Sequence, residues 1–324
     1  MRVLVTGGAG YVGSHMVARL LAAGHEVTVL DDLSTGHRDA VLPEARFVEG
    51  DIATDAAAIL RDGIDAVCHF AAMSQIEESV RDPQRYFLGN TVKSLALLDA
   101  VLACSTLPAF VFSSTASVYG TPDTVPIDED QPKRPQSPYG TTKLAIEHAL
   151  AAYGAAYGLR WTALRYFNAA GAAPESGLGE RHEPETHLIP IVLDVAAGER
   201  ASVSIYGTDW PTPDGTCVRD YIHVRDLCDA HLAAFQYLEK GGVSGAFNLG
   251  TGTGKSVREV VDAVRRITER EVNVVEAPRR PGDPAILVAA VERARTVLGW
   301  SAERPGIDEI VADAWAWKLR AETR

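Results

Sequence analysis

A tyrosine and a lysine lie four residues apart at the start of an alanine-rich, helix-forming run, SPYGTTKLAIEHAL, which begins at Ser137. If Ser137 caps the helix and Pro138 occupies its first turn, Tyr139 and Lys143 share one face. Tyrosine is a weak base at neutral pH, since its unperturbed pKa is about 10. A nearby ammonium group favours the phenolate, so the pair could take a proton from a substrate hydroxyl. The alternative is a half-buried anchor beside a solvated charge.

Hydroxyl side chains end the strand-like stretch FVFSSTASVYG. They are Ser113, Ser114, Thr115 and Ser117. An α/β sheet places its chemistry at the carboxyl ends of its strands. One of these hydroxyls could therefore share a hydrogen bond with the substrate hydroxyl that Tyr139 deprotonates.

A glycine-rich segment, TGGAGYVGS, places Gly7, Gly10 and Gly13 between a first strand and a first helix. Glycines let the backbone approach a pyrophosphate, and the helix N-terminus offers free N–H groups. Asp31 follows at the end of the second strand, where a carboxylate can accept from a ribose 2′-OH and would repel a 2′-phosphate. These features predict a dinucleotide site that favours NAD over NADP. Asp51, after the third strand, is a candidate for the adenine edge or, equally, a turn residue.

Strand-like and helical runs alternate along the first half of the chain. The strand-like runs are RVLVTG, EVTVLDD, DAVCHFAA and PAFVFSS, and helical runs cover about 86–103 and 139–157. Strands that are apolar on both faces and alternate with helices indicate a parallel sheet covered on both sides. The predicted fold class is α/β, a doubly wound parallel Rossmann-type sheet.

The pattern changes after WTALRYFNAAG, because AAPESGLGERHEPETH is rich in Gly, Pro and Glu and has no strong periodicity. A domain boundary is predicted there. Residues 1–171 would form an NAD-binding domain, and residues 172–324 a smaller C-terminal mixed α/β substrate domain. A further strand near 245–250, in GAFNLGTG, is predicted to return to the main sheet.

Composition narrows the partners and the location. The chain has 324 residues and a formal net charge of -12, which argues against nucleic acid or an anionic membrane as a partner. No long apolar run or signal peptide is visible, so a cytoplasmic protein is expected. The cysteines lack C-x-x-C spacing, and reduced thiols with no metal are predicted. They are Cys68, Cys104, Cys217 and Cys228.

Taken together, these residues resemble the extended short-chain dehydrogenase/reductase family, and within it the UDP-galactose 4-epimerases. The resemblance runs from Met1 to about Trp317 through motifs in the family's order: VTGGAGYVGSH, DDLSTGH, HFAA, SSTASVYG, SPYGTTK, RYFNAAGA, THLIP, DGTCVRDYIHV, NLGTG and RRPGD. It implies that Tyr139 is the base, that Lys143 binds the nicotinamide ribose and that Thr115 is the catalytic Ser or Thr.

The resemblance also implies the binding residues. Those for NAD are Gly7, Gly10, Tyr11, Val12, Gly13, Asp31, Asp32, Asp51, Ile52, Phe70, Ala71, Ala72, Asn90, Ser113, Tyr139, Lys143 and Tyr166. Those for a UDP sugar are Ser114, Thr115, Asn168, His187, Leu188, Tyr206, Arg219, Tyr221, Arg280 and Asp283. Arg219 and Arg280 would contact the diphosphate or uridine ribose, since guanidinium groups pair bidentately with phosphate oxygens.

The implied activity is interconversion of UDP-galactose and UDP-glucose by transient oxidation and re-reduction at C4 with NAD. Related dehydratases carry an Asp-Glu pair where this chain has Ala116 and Ser117, which leaves redox at C4. A 4-epimerase for UDP-glucuronate, UDP-xylose or a UDP-N-acetylhexosamine stays open, because Leu287 aligns where a tyrosine restricts N-acetylated sugars. A non-catalytic NAD-sensing protein is the other alternative.

An oligomeric state is also implied by the resemblance. The family commonly dimerises by pairing the helix that carries Tyr139 with the helix before the Ser/Thr strand, here about 86–103. A homodimer is therefore expected.

Overall fold

A seven-stranded parallel sheet forms the centre of the fold. The structure, a computed structural model, describes residues 1–280 and 282–321. Its strands are β1 (Arg2–Thr6), β2 (Glu26–Asp31), β3 (Arg46–Glu49), β4 (Ala66–His69), β5 (Ala109–Thr115), β6 (Trp161–Tyr166), β7 (Asn168–Ala170), β8 (Val203–Tyr206), β9 (Val218–Arg219), β10 (Tyr221–His223), β11 (Gly245–Leu249), β12 (Lys255–Ser256), β13 (Val274–Ala277) and β14 (Ile286–Leu287). The large sheet has the order β11-β6-β5-β4-β1-β2-β3.

Helices connect and cover these strands. They are α1 (Tyr11–Ala22), α2 (Ala56–Leu60), α3 (Ile76–Arg81), α4 (Pro83–Tyr86), α5 (Lys93–Leu102), α6 (Pro138–Tyr157), α7 (Leu188–Ala197), α8 (Val224–Glu239), α9 (Val257–Thr268) and α10 (Ile307–Ala321). The strand order reverses between β1 and β4, which is the topological switch of a doubly wound sheet. The predicted Rossmann-type α/β fold is thereby confirmed.

Both faces of the sheet are buried because its strands are apolar throughout. Val3 and Val5 of β1 pack in one cluster with Phe235 of α8. Leu4, between them, packs in the opposite cluster with Leu150 of α6. Successive side chains of a strand point to opposite faces, so β1 is sandwiched between two helical layers.

The later elements build smaller sheets beside the large one. β8 pairs with β13 in parallel, and β9 lies between β12 and β14. A third apolar cluster, formed largely by α7, α9 and α10, supports them. β11 leaves this region and pairs in parallel with β6 at the edge of the large sheet. The chain therefore crosses between the two regions more than once.

Two chemical features of the chain complete the fold. Among the described residues no helix combines the length and apolar character that a membrane crossing needs. All four cysteines carry free thiols, three of them buried and Cys104 partly exposed.

A buried ion pair joins α6 to the sheet. Glu147 of α6 accepts hydrogen bonds from Arg165 Nε at 3.0 Å and Nη2 at 2.6 Å. It also accepts from Ser114 Oγ of β5 at 2.5 Å. Arg165 of β6 donates further to the Tyr119 hydroxyl at 2.8 Å. Because both charged side chains are almost fully buried, the helix position is fixed by partners that water cannot replace.

Replacing Glu147 with Ala is expected to lower the free energy of unfolding by about 3–5 kcal/mol, because Arg165 would stay buried without its counter-charge. Urea unfolding measures this loss. Asp62→Ala is the matched control, since it breaks an exposed pair with Arg46 and should cost less than about 1 kcal/mol. Equal losses in the two variants would contradict the assigned role of Glu147.

Candidate active site

A cleft of about 610 Å³ opens at the carboxyl ends of the central strands. A doubly wound sheet binds its ligands at this edge, by the strand-order reversal. The cleft gathers many of the predicted site residues: Gly7, Gly10, Tyr11, Val12, Gly13, Phe70, Ala72, Ser113, Thr115, Tyr139, Lys143, Tyr166, Asn168 and His187. Residues from distant parts of the chain therefore meet in one place.

The start of α6 positions the tyrosine and the lysine. Ser137 caps the helix by accepting from the Gly140 N–H at 3.2 Å, and Pro138 lies in its first turn. Tyr139 and Lys143 are both buried, and the Lys143 ammonium lies 6.0 Å from the centre of the Tyr139 ring. The local sequence is enough to place these two side chains on one face.

Burial shifts the pKa values of the pair in opposite directions. It lowers the pKa of Lys143 to about 7. It also raises the pKa of Tyr139 to about 12, against a hydrogen bond from Thr115 that lowers it. In the chain alone, loss of water on burial dominates this shift. The sequence prediction concerned Tyr139 beside both Lys143 and a positively charged nicotinamide ring, and it stays a prediction. The chain by itself holds Tyr139 as a neutral phenol.

The end of β5 supplies the partners of this pair. Lys143 Nζ donates to the Ser113 carbonyl at 2.9 Å, and the Ser113 hydroxyl hydrogen-bonds to Tyr166. Thr115 Oγ1 accepts from the Ser117 N–H at 3.1 Å and lines the cleft near Tyr139. Thr115 thus lies where a substrate hydroxyl beside the tyrosine could meet it.

Ser114 does not join them, and its predicted substrate contact is corrected. Its side chain is buried on the other side of β5, where it donates to Glu147. Neighbouring residues of a strand face opposite ways, so Ser113 and Thr115 cannot share a direction with Ser114. The serine holds α6 instead of facing the cleft.

The glycine-rich turn after β1 is shaped by close backbone contacts. A Cβ atom on Gly7, which has a φ of +73°, would lie 2.5 Å from the Ala71 nitrogen. A Cβ on Gly13 would lie 2.0 Å from the Gly7 oxygen. A Cβ on Gly10 would meet only the Gly7 oxygen, at 3.4 Å. The protein's own packing thus requires the first and third glycines, whereas Gly10 has room on its side-chain face.

Asp31 ties this turn to the end of β2. Its carboxylate accepts from the Ala9 N–H and the Leu33 N–H, both at 2.9 Å. Burial raises the pKa of Asp31, against these two hydrogen bonds. The carboxylate therefore braces the turn, and its contact with a ribose stays a prediction.

Lys93, which the sequence analysis did not select, lies between Asp32 and Asp51, the two other acidic residues predicted to bind NAD. Lys93 Nζ lies 2.6 Å from Asp51 and 3.8 Å from Asp32. The three residues come from separate loops and from α5, so spacing alone could not have joined them. Their meeting places both carboxylates beside one lysine at the ends of β2 and β3, and their contacts with NAD stay predictions.

Two residues predicted to contact NAD, Asn90 and Ile52, are buried within the protein. The Asn90 side chain is fully buried and bonds to both backbone groups of Met73 and to Thr142. Ile52 is buried as well. Their contacts with NAD remain predictions, and the structure gives Asn90 the task of holding the loop after β4.

Four residues predicted to bind the UDP group form two contacting pairs, Arg280 with Tyr206 and Arg219 with Asp283. None of the four belongs to the cleft lining described above. The Arg280 guanidinium stacks 3.8 Å from the Tyr206 ring centre, and it lies 3.7 Å from Glu77. Arg219 lies 3.8 Å from Asp283. The acidic neighbour of each arginine lies 3.7–3.8 Å away, which is longer than a close ion pair. Both remain able to meet a diphosphate.

Asn168 and His187 line the cleft, and two further predicted substrate residues adjoin them. Tyr221 of β10 is buried and lies opposite Asn168 of β7 in the strand register. Leu188 begins α7 directly after His187. Although burial lowers the pKa of His187, the Glu180 carboxylate raises it to about 10. Leu287 pairs in register with Arg219, beside the predicted sugar-nucleotide pocket.

Comparisons with known proteins agree with this geometry. A family model described as the NAD dependent epimerase/dehydratase family matches residues 3–250. A UDP-glucose 4-epimerase of Lacticaseibacillus casei is 50% identical over 98% of this chain and 96% of that protein. The crystal structure of UDP-glucose 4-epimerase from Brucella ovis in complex with NAD is 45% identical, with a TM-score of 0.94 over 97% of each chain.

A second solved structure, UDP-glucose 4-epimerase from Bifidobacterium longum in complex with NAD+ and UDP, is 37% identical. It has a TM-score of 0.92 over 99% of each chain. A match over most of the chain, both in sequence and in fold, identifies the family. The chain belongs to the NAD-dependent epimerase/dehydratase family.

Proposed function

We propose that the protein is a UDP-glucose 4-epimerase, which interconverts UDP-galactose and UDP-glucose with tightly bound NAD. The observation that carries this proposal is the meeting of Tyr139, Lys143 and Thr115 in one cleft with the glycine turn. Relatives of that name are about half identical to this chain over nearly its full length. The same machinery is expected to perform the same reaction.

The described residues fit NAD. Gly10 caps α1 without a side chain, which leaves the N–H groups of the first turn to an anionic ligand. The space beside Gly10 allows a pyrophosphate to approach the backbone. When bound, NAD accepts a hydride from C4 of the sugar and returns it, which no side chain of the protein can do.

Tyr139 handles the proton in this mechanism. It takes the C4 hydroxyl proton, and Thr115 shares a hydrogen bond with the same oxygen. Because burial holds the pKa of Tyr139 near 12, a positive charge must be added before the phenolate forms at neutral pH. A positively charged nicotinamide ring and the protonated form of Lys143 both act in this direction.

The sugar must present both faces during one reaction, so it has to be held loosely while the nucleotide is held firmly. Arg219 and Arg280 would bind the diphosphate at a distance from Tyr139. Binding energy placed away from the reacting ring leaves that ring free to turn. We propose this division between the two ends of the substrate.

The same reasoning extends to the domains and the location. We propose that residues 1–171, with β11, bind NAD and that residues 172–324 bind the UDP sugar. Most of the cleft residues belong to the first part, and Arg219, Arg280 and Tyr206 belong to the second. We also propose a cytoplasmic location, where thiols such as the four here stay reduced.

We further propose a homodimer. Large apolar side chains are exposed on the segment that runs from α3 to the start of α5, beside α6. They are Ile76, Val80, Phe87, Leu88 and Val92, each 41–61% exposed. A patch of this kind marks an interaction surface, and three of its residues, Phe87, Leu88 and Val92, lie in the run of about 86–103 that the resemblance assigns to the interface.

Incubation of the purified protein with UDP-galactose and no added NAD should yield UDP-glucose, followed by NMR of the sugar. Tyr139→Phe should retain NAD and slow turnover by about 10²–10⁴-fold, the usual contribution of a positioned acid–base group. Tyr157→Phe, at the exposed end of the same helix, is the control.

No conversion by a protein that releases NAD on denaturation would reject UDP-galactose as the substrate. UDP-glucuronate and UDP-N-acetylglucosamine, tested in the same assay, would then identify the sugar. Full turnover by the Tyr139→Phe variant would reject Tyr139 as the base.

Gly10→Ala should fold normally and lose most of its bound NAD, since the added methyl group has room within the protein but occupies the approach to the backbone. The NAD released per chain and the thermal unfolding midpoint measure the two effects. Gly245→Ala is the control, because a Cβ there meets no atom within 4 Å. Unchanged NAD content in Gly10→Ala would contradict the placement of the pyrophosphate.

The double variant Val80→Asp, Leu88→Lys should be monomeric, because the charges would be buried in an apolar interface. Light scattering measures the mass. Val243→Asp, at another exposed apolar position, should leave the dimer intact. A monomeric unmodified protein would overturn the dimer proposal.

A further inference from the structure

Four potential metal ligands converge in the segment between β7 and α7. They are Glu180, His182, Glu185 and His187, and one ligand atom of each lies within 4.8 Å of all the others. The two carboxylates are mostly shielded from water, with 7% and 15% of their side chains exposed. The His182 side chain is 23% exposed and that of His187 is 47% exposed, so the shielding applies to the carboxylates.

The donor atoms face one another. His187 Nδ1 lies 2.7 Å and His182 Nδ1 lies 3.1 Å from the same Glu180 oxygen. Glu185 Oε1 lies 3.2 Å from His187 Nδ1, and Glu185 Oε2 lies 3.8 Å from His182 Nδ1. Four ligands at about 2.0–2.2 Å from a tetrahedral Zn²⁺ lie about 3.3–3.6 Å apart. The His–Glu separations bracket that range, and all four ligand atoms lie within 4.8 Å of one another, so modest side-chain movements would bring them onto one ion.

We propose that Glu180, His182, Glu185 and His187 form a binding site for a divalent transition metal ion, with Zn²⁺ as the best fit. Two imidazole nitrogens and two carboxylate oxygens suit Zn²⁺, whereas Mg²⁺ and Ca²⁺ prefer all-oxygen sites. The two carboxylates would also balance the charge of the ion. The sequence analysis predicted no metal, because it considered cysteines and regular spacings, and E-x-H-x-x-E-x-H follows neither a helical nor a zinc-finger spacing.

The position of the cluster gives the ion a structural role. The Arg181 carbonyl hydrogen-bonds to His37 at 3.1 Å, and the Arg181 side chain pairs with Asp39. The His182 ring lies edge-on to Tyr11, at the first turn of α1. His187 is the residue from which α7 begins. An ion held by four protein ligands would therefore fix one wall of the cleft between α1 and α7, without an open position for substrate.

The test uses untagged, full-length protein with its NAD, freed of metal by a chelator and titrated with Co²⁺. One equivalent should produce the intense visible bands of four-coordinate Co²⁺, and Zn²⁺ should displace them. His182→Asn and Glu185→Gln each remove one ligand. Each should weaken Co²⁺ binding by more than the roughly 10–100-fold that loss of an outer-shell partner costs. His148→Asn, an exposed histidine outside the cluster, is the control.

Absence of these bands in the unmodified protein would overturn the proposal, and the cluster would then be imidazolium–carboxylate pairs. If the Co²⁺ bands persist in both His182→Asn and Glu185→Gln, the ion binds elsewhere, and the proposal is overturned as well. Thermal unfolding of each variant checks that lost binding does not follow from lost folding. None of these measurements depends on turnover, so the metal proposal can fail while the proposed function stands.

Discussion

The contact between α6 and the end of β5 is the constraint on which the rest of the site depends. Tyr139, Lys143 and Glu147 follow one another at four-residue spacing on one face of the helix. Each meets one of three consecutive residues, 113–115, through hydrogen bonds to a hydroxyl or a carbonyl. A slip of the helix by one residue would break all three contacts together. The buried Glu147 charge, paired behind the site, therefore also sets the geometry in front of it.

This burial has a chemical consequence. The protein excludes water from Tyr139 and Lys143, which disfavours the phenolate and the ammonium form alike. The neutral forms of both side chains are therefore favoured in the chain alone, and an added charge would act on them strongly because electrostatic interactions are less screened away from water. In the proposed mechanism, Tyr139 would lose its proton more readily beside a bound nicotinamide ring, because that positive charge favours the phenolate. The proposed mechanism would thereby couple proton transfer at Tyr139 to hydride transfer in one buried pocket.

Local sequence predicted the features that depend on neighbours in the chain. Ser137 and Pro138 predicted the helix start, and the glycines predicted the turn after β1, because caps and turns are set within a few residues. Alternating apolar strands and helices predicted the sheet. The raised pKa of Tyr139 in the chain alone was not predicted, since depth of burial is a property of the folded chain and not of the Tyr–Lys spacing.

Contacts over long sequence distances were the features that the sequence could not supply. In the sequence Ser114 could not be distinguished from Ser113 and Thr115. In the structure the pleat of β5 directs its side chain to the opposite face, where it donates to Glu147. Lys93 meets Asp51 only because α5 packs beside the ends of β2 and β3. The converging donors around His182 arise from a segment with no regular spacing, so no helical or strand pattern could have grouped them.

The central claim is that the hydrogen at C4 leaves and returns without exchange while Tyr139 moves only the hydroxyl proton. It is tested most directly with UDP-galactose carrying deuterium at C4, incubated with the protein in ordinary water until the two sugars reach equilibrium. The account predicts that deuterium stays at C4 of both UDP-galactose and UDP-glucose after many turnovers. Replacement of that deuterium by solvent hydrogen would contradict it, because it would show inversion by proton removal from carbon.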